Sequence, residues 1–285
     1  MGLIMPMWAC LLGGVSLFDS GIVCTVVDNF LVVLAIVYCK QLQSPTNSFV
    51  MSLAVADCLV GLVIMPYSMV CTVEGCWFFG ALFCQVHSSL DIMLCTASIF
   101  HLSCIPFNRY YAMCNPLVYH LKMSQGWVAF LIVVCWAVPL LISFGPIMLG
   151  LHKAGVDMVP MPPEDTCVFL VNRVYTVMAS LVAFYLPMGI MLRRERKAAK
   201  TLGIIMGVFL LFWLPFFIVN IVDPFIDYSI VVEVWEFFLW LGYVNSSLNP
   251  FLYGFFNRSF RRAFMMRKKI HVKNKEVNTL QQMLF

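Results

Sequence analysis

The sequence predicts an all-α membrane protein: a seven-transmembrane helix bundle followed by a short amphipathic helix. Hydrophobic residues make up 62% of the 285 residues and charged residues only 11%, and the mean hydropathy is +0.90. A soluble domain of this length needs far less apolar surface. Seven spans of about 20–25 residues, joined by short loops, account for the whole length.

The basic residues indicate how the chain is oriented. Of the 18 lysines and arginines, all but Lys153 and Arg173 fall in segments predicted to lie inside or at the inner ends of helices. Because positive residues stay on the cytoplasmic side, we expect a cytoplasmic C-terminus. The net charge of +4 gives no indication of a nucleic-acid partner.

The first two spans are predicted over residues 18–38 and 48–70. The first span carries Asp28 near its middle, where a charge is costly. Pro45 ends the turn between the two spans, because proline cannot continue a helix. The second span buries Asp57, and Pro66 is expected to kink its outer third.

The third span, Cys84–Arg109, is the one around which the bundle is organised. Asp91 and Arg109 lie on the same face, because they are about five turns apart at roughly 3.6 residues per turn. An acid inside a membrane span indicates a functional site by default. We interpret Asp91 as the anchor of a cationic ligand; the alternative is a structural ion pair. Pro106 is expected to kink this helix one turn before Arg109.

The last four spans are predicted over residues 126–148, 174–192, 198–222 and 232–254. The fifth helix is expected to stop shortly after Pro187, so that only RRERK, at residues 193–197, joins it to the sixth. Pro215 is the expected hinge of the sixth helix, because it removes a backbone hydrogen bond.

The ends of the chain are predicted to lie on opposite sides of the membrane. Residues 1–17 form an extracellular N-terminus and residues 18–254 the bundle. Residues 255–269 are predicted to form an amphipathic eighth helix, in which Phe260 and Phe264 are interleaved with arginines. Such a helix lies along an anionic inner leaflet, so membrane lipid is an expected partner. Residues 270–285 are polar and are expected to form a disordered cytoplasmic tail.

Five motifs occur in order and in corresponding spans. They are LAVAD at Leu53–Asp57, NRYYAM at Asn108–Met113, Trp136, FWLP at Phe212–Pro215 and NPFLY at Asn249–Tyr253. With them the chain resembles rhodopsin-like G-protein-coupled receptors of the biogenic-amine group. FLWLGYVNSSLNPFLY at Phe238–Tyr253 looks most like the serotonin type 4 receptors. MPYSMVCTVEGCWFFG at Met65–Gly80 looks as much like the trace-amine receptors.

The resemblance implies a plasma-membrane receptor for a protonated biogenic amine, serotonin first, with a small-molecule amine and a heterotrimeric stimulatory G protein as partners. It puts the ammonium group on Asp91, with Tyr243 as the hydrogen-bond partner of that carboxylate. Trp213, Phe216, Phe217 and Asn220 share one face of the sixth helix by their spacing. The implied ligand-binding residues are Asp91, Ser180, Trp213, Phe216, Phe217, Asn220 and Tyr243. The alternative for the aromatic residues and for Ser180 is helix packing.

The resemblance also implies three further groups of residues. Oxygen ligands for a sodium ion are expected from Asp57, Ser98, Asn245 and Asn249, the alternative being a purely structural polar network. No other cofactor or metal is expected. Arg109 and Tyr253 are expected to contact the G protein, and Cys84 and Cys167 to form a disulfide.

Several residues depart from the family pattern. Asn108 replaces the acid before Arg109, so the local ion pair that restrains the arginine is lost. Asp28 stands where the family has glycine, and the fifth helix lacks its usual inner turns. These departures keep two alternatives open: a non-signalling or degraded amine receptor, acting as a decoy or heteromer partner, and a trace-amine receptor.

Other classes of function fit the sequence less well. The chain shows no internal repeat of the kind that transporters carry. A light receptor needs a lysine in the seventh span, and residues 232–254 contain none. No hydrolase, metalloprotease or phosphate-loop motif occurs, so we do not expect an enzyme.

Overall fold

Seven long helices cover most of the part of the chain that the computed structural model describes, residues 4–114, 124–155, 167, 170–195, 200–256 and 260–261. No strand occurs within these residues. The helices are α1 (Ile4–Tyr38), α2 (Pro45–Glu74), α3 (Gly80–Cys114), α4 (Gln125–Met148), α5 (173–195), α6 (Lys200–Val222) and α7 (Val232–Phe256). Short 3₁₀ turns lie at Lys40–Leu42, Leu151–Lys153 and Asp223–Phe225.

All of these helices except α7 are long and apolar enough to cross a membrane. α7 has 25 residues, which is ample length for a span of about 30 Å. It is less apolar because its inner half carries Asn245, Ser246, Ser247 and Asn249. The described residues thus contain helices at all seven predicted positions.

Two helix ends differ from the prediction. α1 begins at Ile4 rather than near Phe18. The prediction that the fifth helix stops at Leu192 is wrong, because its last segment continues to Glu195. Arginine and glutamate are good helix formers, which explains why Arg193, Arg194 and Glu195 continue the helix. The predicted eighth helix and tail lie outside the described residues, apart from Phe260 and Arg261.

Polar side chains begin three of the helices. Ser44 accepts a hydrogen bond from the backbone N–H of Asn47 before α2, and Ser124 accepts one from Trp127 before α4. Asn172 accepts one from Tyr175 before α5. Each cap satisfies an N–H group that the first helical turn leaves unpaired.

α2 and α5 each contain one wide turn ahead of a proline. The π-helical turns are Val60–Ile64 in α2 and Leu181–Tyr185 in α5. Pro66 and Pro187 follow them closely, and a proline ring clashes with the carbonyl four residues earlier. The wider turn relieves that clash, so the kink expected in α2 takes the form of a π-bulge.

α3 is the central helix and packs against α2, α4 and α5, while α1 packs against α2 and α7. Trp136 on α4 donates its indole N–H to Ser52 of α2 at 2.9 Å, which joins the two helices that flank α3. Gly61 allows α1 and α2 to approach closely, because a Cβ there would lie 2.8 Å from Val26 Cγ2. α3 continues as a helix through Pro106.

Candidate functional site

Asp91 lies half-buried on α3, and side chains of α3 and α7 hold its carboxylate in place. Tyr243 on α7 donates its hydroxyl to Asp91 Oδ2 at 2.9 Å, as the sequence analysis expects. Cys95, one turn further along α3, donates to Oδ1 at 3.2 Å. The Tyr243 hydroxyl also lies 3.4 Å from Ser68 Oγ on α2. These partners orient the carboxylate but do not neutralise it.

No basic side chain among the described residues forms an ion pair with Asp91. The ion pair found in that part of the chain joins Arg173 to Asp227, outside the bundle. A carboxylate that is hydrogen-bonded but not charge-paired favours binding of a cation over a structural ion pair.

The aromatic side chains of α6 form a packed cluster. Trp213 and Phe217 are buried, and Phe217 stacks on Phe184 of α5 with ring centroids 4.4 Å apart. Phe216 makes an edge-to-face contact with Trp235 of α7, at 5.7 Å. Asp91 hydrogen-bonds to residues of α3 and α7, and not to this cluster. These ring contacts give the aromatic residues of α6 a packing role against α5 and α7, and their part in ligand binding stays a prediction.

Ser180 and Asn220 lie together, as a pair across α5 and α6. The Asn220 amide donates to Ser180 Oγ at 2.9 Å, and Ser180 is fully buried. The two residues thus satisfy each other, and a ligand hydroxyl would have to share or replace this bond.

Gly242 brings α7 against the indole of Trp213. A Cβ at this position would lie 2.9 Å from Trp213 Cη2 and 3.0 Å from Cζ3. Gly242 directly precedes Tyr243 in α7. The contact therefore places Trp213 of α6 next to the residue that hydrogen-bonds to Asp91. The indole Nε1 of Trp213 is buried and has no hydrogen-bond partner among the described residues.

A second buried carboxylate, Asp57, is the centre of a polar network. Ser98 on α3 donates to Asp57 Oδ1 at 3.0 Å, and Asn249 on α7 donates to Oδ2 at 2.8 Å. Asn245 is buried as well, and neither its amide nitrogen nor its oxygen has a partner within the described residues; the same is true of Asn249 Oδ1. A buried carboxylate with a serine hydroxyl and an amide oxygen close by is a suitable donor set for a hard cation such as sodium, or for water.

The predicted G-protein contacts are only partly described. The backbone of Arg109 lies in α3, but its side chain falls outside the described part. Tyr253 is buried on α7. Asn108 donates to Thr46 Oγ1 on α2 at 3.3 Å, so this side chain is directed to α2.

The outer end of the bundle is tied together by covalent and polar links. Cys84 at the start of α3 is disulfide-bonded to Cys167, with their Cα atoms 5.7 Å apart. Tyr228 donates its hydroxyl to the carbonyl of Val171 at 2.8 Å. Burial raises the pKa of the Tyr228 hydroxyl above its ordinary value.

Some residues of the site were missed by the sequence analysis. Cys95 is four residues from Asp91, so helical spacing could have found it. Phe184 could not be found in this way, because it lies inside the π turn that shifts the phase of α5. Ser68 and Trp235 contact the site from helices whose relative rotation no spacing rule fixes.

The family described as 7 transmembrane receptor (rhodopsin family) matches residues 28–193 and 191–253. The chain belongs to this family. It is therefore a G-protein-coupled receptor by descent, a multi-pass protein of the plasma membrane and not an enzyme. The family resemblance on which the sequence analysis relies is confirmed.

Relatives of two kinds match over most of the chain. The human 5-hydroxytryptamine receptor 4 (Homo sapiens) is 43% identical over 302 residues, covering 88% of this chain and 78% of the relative. Trace amine-associated receptor 4 of Rattus norvegicus is 40% identical over 285 residues, covering 87% and 82%. Human trace amine-associated receptor 1 is 39% identical over 290 residues, covering 88% and 86%.

Proposed function

We propose that the chain binds a protonated biogenic amine, serotonin in the first instance, and signals through a stimulatory G protein and adenylate cyclase. The observation that carries the proposal is the Asp91–Tyr243 pair, a carboxylate oriented by a 2.9 Å hydrogen bond and paired with no described basic side chain. A protonated amine gains most from one close carboxylate at low dielectric.

The remaining contacts suit the rest of an aromatic amine. Trp213, Phe216 and Phe217 provide ring surfaces on the neighbouring helix, and such faces attract an ammonium group by about 0.5–2 kcal/mol each. The Ser180–Asn220 pair provides a hydroxyl and an amide for a polar ring substituent. The name of the human relative, 5-hydroxytryptamine receptor 4, supports serotonin as the first amine to test.

A sodium ion at Asp57 is the proposed modulator of the equilibrium between the inactive and active arrangements of the helices. Asp57, Ser98, Asn245 and Asn249 would hold the ion, which would stabilise one arrangement of α2, α3 and α7 relative to another. Asp57→Asn should abolish any sodium dependence of ligand binding. Potassium at the same ionic strength is the control for general salt effects.

Signalling is proposed through Arg109 and Tyr253 once α6 moves away at the hinge, Pro215. The helical extension of α5 to Glu195 supports coupling, because it restores part of the inner helical surface that the sequence analysis expected to be missing. A non-signalling receptor remains the second candidate, because Asn108 cannot form an ion pair with Arg109.

The test is cyclic AMP accumulation in cells that express the full chain, with serotonin, tyramine and phenylethylamine applied separately. The proposal predicts a concentration-dependent response to serotonin that is lost in Asp91→Asn. A response to the other two amines alone would favour the trace-amine function. Surface-expressed protein that binds an amine but gives no response would favour the non-signalling receptor.

A further inference from the structure

A groove with a volume of about 310 Å³ runs between α1 and α7 and ends at Phe260. Its α1 side consists of Asp28 and the residues three, four and seven positions further on, which is one face of the helix. Its α7 side includes Phe251 and Gly254. Apart from Asp28, the described residues that line the groove are apolar or glycine.

Asp28 has no hydrogen bond or ion pair to any described residue. Its neighbour Asn29, in contrast, donates to the carbonyls of Thr25 and Ser246 at 2.8 and 3.0 Å. Asp28 is half-buried and belongs to the groove rather than to the polar network around Asp57. It is therefore a carboxylate that no side chain in the described part of the bundle pairs with.

The depth of Asp28 determines what can pair with it. The span of α1 is Phe18–Tyr38, 21 residues long, and Asp28 lies at its centre, about 15 Å of helix from either end. Water does not solvate a charge at that depth, and a lipid head group lies far from it. A second copy of the chain, docked symmetrically, would bring another carboxylate rather than a countercharge.

The residues that line the groove suit the close approach of another helix. Ala35 and Gly254 are small, and a Cβ built on Gly254 would meet nothing within 4 Å. Leu31 and Phe251 are 54% and 50% exposed, so the groove has apolar edges that face the membrane. Small residues at the base of an intramembrane groove allow another helix to approach closely.

We propose that this groove is a docking surface for a single transmembrane helix of a partner protein that carries a lysine or arginine at mid-membrane depth. Asp28 is the countercharge for that residue, and the small residues seat the helix backbone. The proposal is independent of the amine site, because none of the groove residues contacts Asp91.

The test is co-purification of the full chain with a designed 21-residue leucine–alanine span that carries one central lysine. The matched control span has leucine in place of the lysine. The amount of lysine span that co-purifies with the wild-type chain should be about tenfold that of the leucine span. A difference of about tenfold is what one interhelical polar contact can supply. Asp28→Asn and Asp28→Leu should remove the preference, and Asp28→Glu should keep it.

Asp19→Asn is the matched control variant, because Asp19 is an exposed carboxylate on the same helix, outside the groove. It should capture the lysine span as the wild type does, and all variants should give the same size-exclusion profile. Equal capture of both spans, or full capture by Asp28→Asn, would overturn the proposal. Asp28-dependent capture of a second copy of the chain in preference to the lysine span would also overturn it.

Discussion

Tyr243→Phe removes one hydroxyl from the proposed amine site and keeps the ring. Tyr243 is fully buried, and its ring contacts Trp240 with centroids 5.3 Å apart. Phenylalanine preserves that packing. What is lost is the 2.9 Å hydrogen bond to Asp91 and the longer 3.4 Å contact with Ser68.

The expected magnitude follows from these two contacts. A hydrogen bond to a charged group contributes about 1.5–3 kcal/mol, whereas a contact of 3.4 Å adds little. An ammonium ligand would itself satisfy part of the freed carboxylate, so we take the lower end of this range. Since about 1.4 kcal/mol is a factor of ten, the dissociation constant of an amine ligand should rise roughly tenfold.

The assay is saturation binding of a tritiated serotonergic antagonist to membranes of expressing cells. Tyr185→Phe is the matched control, because Tyr185 is a half-buried tyrosine on α5 whose hydroxyl has no hydrogen bond to a described residue. Its affinity should stay within about twofold of the wild type. An unchanged affinity in Tyr243→Phe, or an equal loss in both variants, would refute the reasoning.

Three further predictions concern stability. Gly242→Ala should lower the free energy of unfolding by about 1–3 kcal/mol, measured as a thermal shift, because its Cβ would lie 2.9 Å from Trp213. Gly207→Ala, whose Cβ would meet nothing within 4 Å, should be neutral or stabilising. Equal effects of the two substitutions would contradict the close approach of α7 to Trp213. The same loss of stability, about 2–5 kcal/mol, is expected in Cys84→Ser, Cys167→Ser and the double variant, because one disulfide joins the two residues. A larger loss in the double variant would argue against a stabilising role of the disulfide alone. Asp223→Ala should speed amide exchange at Ile230, because Asp223 accepts hydrogen bonds from that N–H at 3.0 Å and from a tryptophan indole at 3.1 Å; unchanged exchange would be evidence against this loop cap.

The helices could be predicted from the sequence itself, because they depend on strong local signals, whereas the Asp91–Tyr243 pair is implied by the family resemblance. Runs of apolar residues define the spans whatever their neighbours are, since a helix in lipid must satisfy its own backbone. Asp91 stands out in the sequence as an acid in an apolar helix, but a tyrosine on another helix is not found by that signal. Ser98 and Asn249, which hydrogen-bond to Asp57, are likewise implied by the resemblance.

Features that depend on helix phase or on partners distant in the sequence could not be predicted. The π turn at Leu181–Tyr185 rotates the inner part of α5, so the stacking of Phe184 on Phe217 has no counterpart in a regular 3.6-residue pattern. The continuation of α5 to Glu195 involves three polar residues that continue a helix as readily as they end it. The groove beside Asp28 depends on the spacing of α1 from α7, which hydropathy does not report.

The proposed function rests on one contact, that between Asp91 and a protonated amine. Its most direct test is binding of the tritiated antagonist to Asp91→Asn beside the wild type, with Asp19→Asn as a carboxylate control on the exposed face of α1. We predict saturable binding to the wild type and to Asp19→Asn, and no detectable binding to Asp91→Asn at equal surface expression. Undiminished binding to Asp91→Asn would contradict the account.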